Sequence, residues 1–397
     1  SFFQLAPYFK YSSIQVKNDP ANDLYSDGLI SGVSLSSFAQ NRRTNNLGLK
    51  GDYTYRPAEN HLLKAGFQFQ GSRSDGTVSI QTQKAVAPLV DDTPNVGYFE
   101  GIYLQDDFTL APPWVLNMGL RWDAAQFAFA NMKTADSMLQ PRLGLNYMAS
   151  DSTQLHVFYG KLFQPAPVET LRYQADMASG SFTSLSAYDV KAEKDDYYEV
   201  GVAQRLSENQ IAKLNLYYKD GVNVLDDTQI SNTAIAQPYN FAKGFAYGVE
   251  VSLKGQVNSD WSNYFNYSYG IAQGKGLGGG VSSDPTDFYQ MLDHVQVHTV
   301  NMGMTYSKNN VWWTTQALYG SGLRTGANNS ISLPGHFTMD TTAGYQFHEK
   351  GWLAHYKVSF DVLNIFNNRY PITIANGYSA SHYAVGRQFF IRLTRDL

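Results

Sequence analysis

Cysteine is absent from all 397 residues, which excludes disulfides, thiolate metal sites and a cysteine nucleophile. No run of about eighteen apolar residues occurs, so the sequence offers no candidate for a transmembrane helix. A secretory signal segment is also missing: the chain opens directly on SFFQLAPYFKYSS, and Ser1 indicates a mature or trimmed product. The net charge is only −4, from 30 Lys and Arg against 34 Asp and Glu. Such a balance gives no reason to expect nucleic acid as a partner.

Aromatic residues and glycine are what the chain has in excess. Tyr and Phe number 28 and 23, Gly adds 33, and the mean hydropathy is −0.34 although 43% of the residues are hydrophobic. A water-soluble core would favour Leu, Ile and Val over Tyr. The balance is typical of a wall that is apolar on one face and polar on the other, with an aromatic belt at each membrane interface.

Apolar and polar residues alternate in blocks of about ten residues, the length of a tilted transmembrane strand. Helical periodicity is nearly absent. The clearest apolar stripes are Leu116-Met118-Leu120-Trp122, Leu143-Leu145-Tyr147, Leu155-Val157-Tyr159, Tyr198-Val200-Val202, Leu214-Leu216-Tyr218, Tyr247-Val249-Val251-Leu253, Val300-Met302-Met304-Tyr306 and Phe389-Ile391-Leu393. Each stripe therefore predicts one strand of a sheet with two unlike faces.

Short polar turns alternate with long links along the chain. The turns are expected at Pro57–Asn60, Ala111–Pro113, Ala149–Thr153, Ser207–Asn209, Val257–Asp260, Lys308–Asn310 and His348–Gly351. The links are expected at Lys17–Leu29, Ser74–Val96, Ala124–Met138, Pro165–Lys191, Asp226–Pro238, Gly274–His294, Arg324–Gly335 and Pro371–Ala384. Bacterial outer-membrane barrels place periplasmic turns and extracellular loops in this way.

The fold class predicted is all-β: a single transmembrane antiparallel β-barrel domain over residues 1–397, with about sixteen strands. The first strand is expected at Gln4–Val16. One strand, rather than two joined by a turn at Asn45-Asn46, is preferred between Ile30 and Arg56, because Val33, Leu35, Leu47 and Leu49 keep one parity. Two strands there would give seventeen and place the N-terminus outside. A soluble propeller is disfavoured, because no motif recurs about every forty residues.

Several segments, in order along the chain, resemble the C-terminal barrel of the TonB-dependent outer-membrane receptors. They are YLQDDFTL (103–110) with NMGLRWD (117–123), QPRLGLNY (140–147), HVFYGKLFQP (156–165), KAEKDDYYEVG (191–201), FAYGVE (245–250), DVLNIFNNRY (361–370) and VGRQFFIRL (385–393). The resemblance covers roughly residues 30–397. It implies a location in the outer membrane of a Gram-negative bacterium.

The sequence also departs from that family. The resemblance leads one to expect a plug domain, a TonB box and a 22-stranded barrel, yet no plug is seen here and about six strands are missing. The last residue is Leu397, where the family usually has Phe or Trp. Two explanations stay open: a fragment of a receptor, or a plugless barrel closed between its first and sixteenth strands. Closure is the expectation, because open edges in lipid are costly.

Transport of a solute is the function expected from the barrel and the resemblance. Polar residues opposite the apolar stripes are predicted to line the pore: Arg121, Arg142, His156, Lys161, Glu199, Arg205, Lys219 and Glu250, with Asn215, Asn266 and Asn301. Family members bind ligands with loop aromatics, which implies the ligand-binding candidates Tyr173, Tyr188, Phe288, Tyr289, Tyr378, His382 and Tyr383. These rings could instead pack the loops together or lie near lipid headgroups.

The expected partners are outer-membrane lipid and lipopolysaccharide, a small solute, and an envelope protein seated in the lumen or loops. The last is the basis of an alternative, structural function. An enzyme is not expected, nor is a cofactor or a metal. His294 and His298 would lie about 13 Å apart on a strand, too far for one ion, and the adjacent carboxylates Asp106-Asp107 and Asp195-Asp196 point to opposite faces of their strands. Asp226-Asp227 is assigned to turn formation rather than calcium ligation.

Overall fold

The computed structural model describes residues 1–17, 35–82, 88–129, 132–168, 173–175, 185–187, 190–229, 236–278, 288–325, 329–347, 354–374 and 381–395. Within these ranges no helix is long and apolar enough to cross a lipid bilayer. Sixteen long strands account for most of the described chain. They are β1 Phe2–Lys17, β2 Leu35–Ala58, β3 His61–Thr82, β4 Asn95–Ala111, β5 Trp114–Phe129, β6 Met132–Ser150, β7 Thr153–Gln164, β8 Glu193–Ser207, β9 Gln210–Gln229, β10 Ala236–Gln256, β11 Trp261–Gly278, β12 His298–Lys308, β13 Val311–Gly320, β14 His336–Gln346, β15 Tyr356–Leu363 and β16 Gln388–Arg395.

Each long strand pairs antiparallel with the next one along the chain, so the sheet is a continuous meander. This confirms the all-β antiparallel architecture and the count of about sixteen. The stretch before Arg56 is a single strand, β2, which pairs with β3 from Leu35 opposite Thr82 to Ala58 opposite His61. The constant parity along β2 therefore predicted the topology correctly.

The short turns lie where the sequence places them. Two residues join β2 to β3, β4 to β5, β6 to β7, β8 to β9 and β12 to β13, at 59–60, 112–113, 151–152, 208–209 and 309–310. Residues 257–260 join β10 to β11. The connection predicted at His348–Gly351 lies outside the described residues.

At the opposite end of the sheet the strands run further than predicted. Ala124–Met138 was expected to be a long link, but β5 and β6 continue to Phe129 and Met132 and pair throughout. Likewise β9 and β10 extend to Gln229 and Ala236, into the expected link Asp226–Pro238. The backbone ladder needs no apolar stripe to continue, so strands extend past the last residue that faces lipid.

The expected closure between the first and last strands is not found in the described residues. β1 pairs with β2 along its length, β16 pairs with β15, and no register joins β1 to β16. Successive side chains are exposed on both faces of these two strands: Phe2 is 63% exposed, Phe3 58% and Ile391 80%. Closure was expected on the premise that the chain forms the whole sheet. In the described residues, however, the two edge strands have no neighbour that would cover such side chains.

Several short strands lie in the connections between the long strands. Leu89–Asp91 adds to β3 and Gln290–Met291 adds to β11. Three further two-stranded pieces join Tyr173–Ala175 with Leu185–Ala187, Arg324–Thr325 with Ile331–Ser332, and Pro371–Thr373 with His382–Tyr383. Together with the long strands they place the connecting segments beside one end of the sheet.

Candidate functional site

Alternation gives the sheet an apolar face and a polar face. The apolar face, which carries Leu104, Leu120 and Leu143, is exposed, while the polar face buries Asp123 and Gln140. In a water-soluble sheet the apolar side would be buried instead. The arrangement is therefore that of a wall with lipid outside and polar contents inside.

Aromatic rings mark two levels on the apolar face. The upper level, on the side of the long links, follows five strands, with Tyr159–Tyr198 ring centroids 5.1 Å apart, Tyr198–Tyr218 6.5 Å and Tyr247–Tyr269 6.4 Å. The second level lies at the short turns, in the pairs Trp114–Tyr147, Trp261–Tyr306 and Trp261–Trp313.

The spacing of the two levels fits a membrane. On β11, Trp261 and Tyr269 are eight positions apart, about 26 Å along a strand. A tilt of about 40° reduces this to roughly 20 Å, close to the apolar band of an outer-membrane barrel. The two levels are the interfacial aromatic belts that the composition predicts.

Seven of the eight pore-lining candidates occupy the polar face. Strand alternation and the registers place Arg121, Arg142, His156, Glu199, Arg205, Lys219 and Glu250 there. Lys161 is the exception, because it has the parity of Val157 and Tyr159 on β7. Its ammonium lies 2.9 Å from Asp196, which also accepts a hydrogen bond from Tyr159. Assigning Lys161 to the pore was thus wrong; it lies on the apolar face, beyond the upper belt.

Charged side chains on the polar face are organised into short networks. Arg121 donates to Asp123, which also accepts a 2.5 Å hydrogen bond from Gln140. His156 Nε2 lies 2.9 Å from Glu199 Oε1, and the Tyr197 hydroxyl donates to the other oxygen of Glu199 at 2.6 Å. The Gln140–Asp123 and His156–Glu199 contacts cross between neighbouring strands, whereas the other two lie within one strand. Together they stiffen the wall and fix where each charge lies.

Lys219 anchors another network with buried carboxylates. Its Nζ lies 2.5 Å from Glu193 Oε1 and 3.3 Å from Asp195 Oδ2, and both carboxylates are almost fully buried. At the turn end, by contrast, the exposed Lys308 ammonium hydrogen-bonds Asp260 and holds the pKa of that carboxyl below its usual range. Only the first arrangement removes charge from water.

The segment that follows β7 folds over the polar face. Ala166 and Val168 are buried, and Asn95 Nδ2 donates to the Val168 carbonyl at 3.2 Å. The segment closes one side of a recess of about 340 Å³. Part of the opposite wall is an amide and hydroxyl network in which Tyr8 donates to Gln70, Gln70 to Ser72, and Ser72 to Asn46. The recess can offer neutral donors and acceptors to a polar guest.

The predicted loop aromatics do not all face the lumen. Tyr289 packs edge-on against Phe245 at 4.8 Å and lies under the Lys275 ammonium at 5.0 Å. Phe245 shares the apolar face with Tyr247, against which it stacks. The structure therefore places Tyr289 outside the wall, near the upper aromatic belt, as the lipid-headgroup alternative anticipated.

The remaining loop aromatics are less informative. Phe288 is exposed, as are His382 and Tyr383 in their two-residue strand. Tyr188 and Tyr378 lie outside the described residues, and of Tyr173 only the backbone is described. The proposed ligand-binding role of these rings stays a prediction.

Sequence reasoning missed several residues of the polar face. Asp123 and Asp195 have the parity of Arg121 and Glu199, so alternation alone could have found them. Asn240 had no such signal. It is 1% exposed and its amide bonds the backbone of Lys191 and Asn223, which fixes the return from the link after β7.

One group of metal-ligating side chains gathers at the long-link end. Asp226 of β9 meets Asp293 and His294, with the ligand atoms of all three within 4.8 Å of one another. Asp226 lies in a strand rather than a turn, which corrects its assignment to turn formation. His298 is not in the group and lies 3.0 Å from the Tyr267 hydroxyl instead.

Such a sheet, with an exposed apolar face, two aromatic belts and a polar inner face, is the wall of an outer-membrane β-barrel. Residues 2–365 match the family described as TonB dependent receptor-like, beta-barrel. This chain belongs to that family, a family of transporter receptors of the Gram-negative outer membrane rather than of enzymes.

Individual proteins are similar to this chain in sequence or in fold. The probable TonB-dependent receptor BfrD of Bordetella pertussis is 22% identical over 316 residues, which is 71% of this chain and 38% of BfrD. Among solved structures, the siderophore receptor PiuA from Acinetobacter baumannii gives a TM-score of 0.72 at 15% identity, covering 98% of this chain and 61% of PiuA. The copper transporter OprC gives 0.70 at 16% identity, covering 98% and 62%. The chain thus spans about two fifths to three fifths of the length of these relatives.

Proposed function

We propose that this chain forms most of the barrel wall of an outer-membrane receptor that passes a solute across the outer membrane, and that further β-strands complete the barrel. The proposal is supported by the charged and amide-rich polar face behind an apolar, belted outer face. The segment folded over the polar face supports it too, because it narrows the space through which a solute would pass.

The two edge strands without a neighbour are the main observation in favour of further strands that complete the wall. An open sheet in lipid would leave a row of backbone donors and acceptors unsatisfied on β1 and on β16, at several kcal/mol for each group. The solved relatives match nearly all of this chain with about three fifths of their own length. The remaining two fifths of a chain as long as these relatives would be long enough to supply more strands and a separate domain inside the barrel. The 397 residues are then one domain of the barrel wall.

The solute would meet a mixed set of charges. The proposed lining residues are Arg121, Arg142, His156, Glu199, Arg205, Lys219 and Glu250, which bring both signs to the polar face. Because four of them, Arg121, His156, Glu199 and Lys219, each have a hydrogen-bonded partner on the same face, the wall offers alternating donors and acceptors rather than a field of one sign. Lipid and lipopolysaccharide would contact the apolar face and its upper belt.

Thiol labelling tests whether the polar face borders water. Because the chain has no cysteine, a single introduced cysteine reports unambiguously. We expect a water-soluble maleimide added to cells to label Arg142→Cys and Lys213→Cys, which lie on the polar face. The matched variants Leu143→Cys and Leu214→Cys, one position further along the same strands, should stay unlabelled in lipid. Equal labelling of both members of each pair would contradict an aqueous passage.

The unpaired edges also support a second function, in which another envelope protein supplies the missing strands and the barrel serves as its seat. Affinity purification of the chain from detergent-extracted membranes distinguishes the two. A stoichiometric second polypeptide would favour the seat, whereas completion by strands of the same polypeptide would favour the receptor.

A further inference from the structure

We propose that the long-link end of the sheet holds one divalent transition-metal ion between Asp226, Asp293 and His294. The three side chains come from two separate parts of the chain, β9 and the turn before β12, yet their ligand atoms lie within 4.8 Å of one another. Metal–ligand bonds to nitrogen and oxygen measure about 2.0–2.2 Å, so the donors of one ion lie within about 4.4 Å of one another. Shifts of a few tenths of an ångström would bring these three side chains into that range.

Both sides of the site are held by named contacts. Asp226 accepts a hydrogen bond from the Tyr239 hydroxyl at 3.1 Å, which orients its carboxylate. The turn that carries Asp293 is fixed on each side, because Leu292 N–H donates to Ala272 O and Arg324 N–H donates to Asp293 O. A ligand carboxylate that is itself hydrogen-bonded is typical of metal sites, where the outer contacts set the ligand geometry.

The surroundings suit an ion that enters from solvent. His294 is 72% exposed at its side chain, whereas Asp293 is about half as exposed. Asp293 Oδ1 is shielded from water and receives no hydrogen bond within the described residues, although it faces His294 Nδ1 in an ion-pair contact. Two carboxylates brought this close place negative charge on both sides of the position that a cation would occupy.

The donor set indicates the class of metal. An imidazole with two carboxylates suits zinc and the neighbouring divalent transition metals, whereas calcium and magnesium prefer oxygen donors alone. Three protein ligands also leave positions open for water or for a ligand that arrives with the metal. The proposed site does not depend on the transport function, since it needs only these residues in place.

Zinc titration of the 397-residue chain in detergent micelles tests the site. We expect isothermal titration calorimetry to find one Zn²⁺ per chain. Asp226→Asn and His294→Asn should each weaken that binding at least tenfold, in line with the sensitivity of metal sites to their ligand shell. His382→Gln, an exposed histidine elsewhere in the connecting segments, is the matched control and should bind as the unchanged chain does.

A Cu²⁺ electron paramagnetic resonance spectrum gives a readout independent of affinity. Nitrogen hyperfine coupling from one imidazole should be present in the unchanged chain and in His382→Gln and lost in His294→Asn. The proposal is overturned if Asp226→Asn binds zinc as tightly as the unchanged chain. It is equally overturned if the nitrogen coupling survives in His294→Asn, because the ion would then sit elsewhere.

Discussion

At the scale of single residues, burial distinguishes the ion pairs that contribute to stability from exposed pairs at the surface. The Lys219 ammonium is 27% exposed and serves two carboxylates that are 5% and 3% exposed. Lys308 and Asp260 make a pair of similar length, 2.9 Å, but they remain in water at a turn. Exposed pairs contribute little, whereas breaking a buried pair leaves an uncompensated charge.

Lys219→Met should therefore destabilise the chain while Lys308→Met leaves it unchanged. Removing the ammonium leaves Glu193 and Asp195 buried without a cation. The expected loss in free energy of unfolding is about 3 kcal/mol, the lower end for a buried pair, because Lys219 keeps some contact with water. Urea unfolding in micelles, followed by tryptophan fluorescence, measures the difference. Equal unfolding midpoints for the two variants would show that the Lys219 network does not contribute to the stability of the chain.

At the scale of strands, alternation predicted much and its limits are physical. Parity assigned β2 as one strand and could have placed Lys161 correctly, since Lys161 shares the parity of Val157. The ends of β5 and β6 were missed because a backbone ladder extends where neither face contacts lipid. The proximity of Asp226 to His294 could not be predicted from the sequence. It depends on how a connecting segment folds back, and the alternation of residues along strands carries no information on that.

The unpaired edges make a prediction for pairs of introduced cysteines, one on each strand. Ala6 of β1 lies opposite Lys50 of β2, so oxidation of Ala6→Cys with Lys50→Cys in the outer membrane should form a disulfide, since paired β-carbons come within bonding range. Combining Ala6→Cys with Phe390→Cys, Arg392→Cys or Thr394→Cys on β16 should form none. A disulfide in any of these three combinations would mean that the sheet closes on itself after all.

At the scale of the whole molecule, the sixteen strands reproduce a barrel's surface without its closed circumference. The face that would touch lipid is apolar between two levels of aromatic rings, and the polar face carries paired charges and a folded-over segment. In the part of the chain that the structure describes, no hydrogen bonding joins the first strand of the sheet to its last. A wall in this state cannot seal a bilayer around a water-filled lumen, because lipid would meet unsatisfied backbone at both edges.

Planar-bilayer recording tests that consequence directly. We expect the purified 397-residue chain to give irregular leakage without a constant unit conductance. A sixteen-stranded porin, recorded in the same bilayer as the control, holds a steady open level because its sheet is closed. The chain co-assembled with the strands that complete it should instead seal the bilayer. A steady, reproducible conductance step from this chain alone would contradict the open edges, since only a closed wall keeps lipid out of its lumen, and the molecule would then function as a plugless pore.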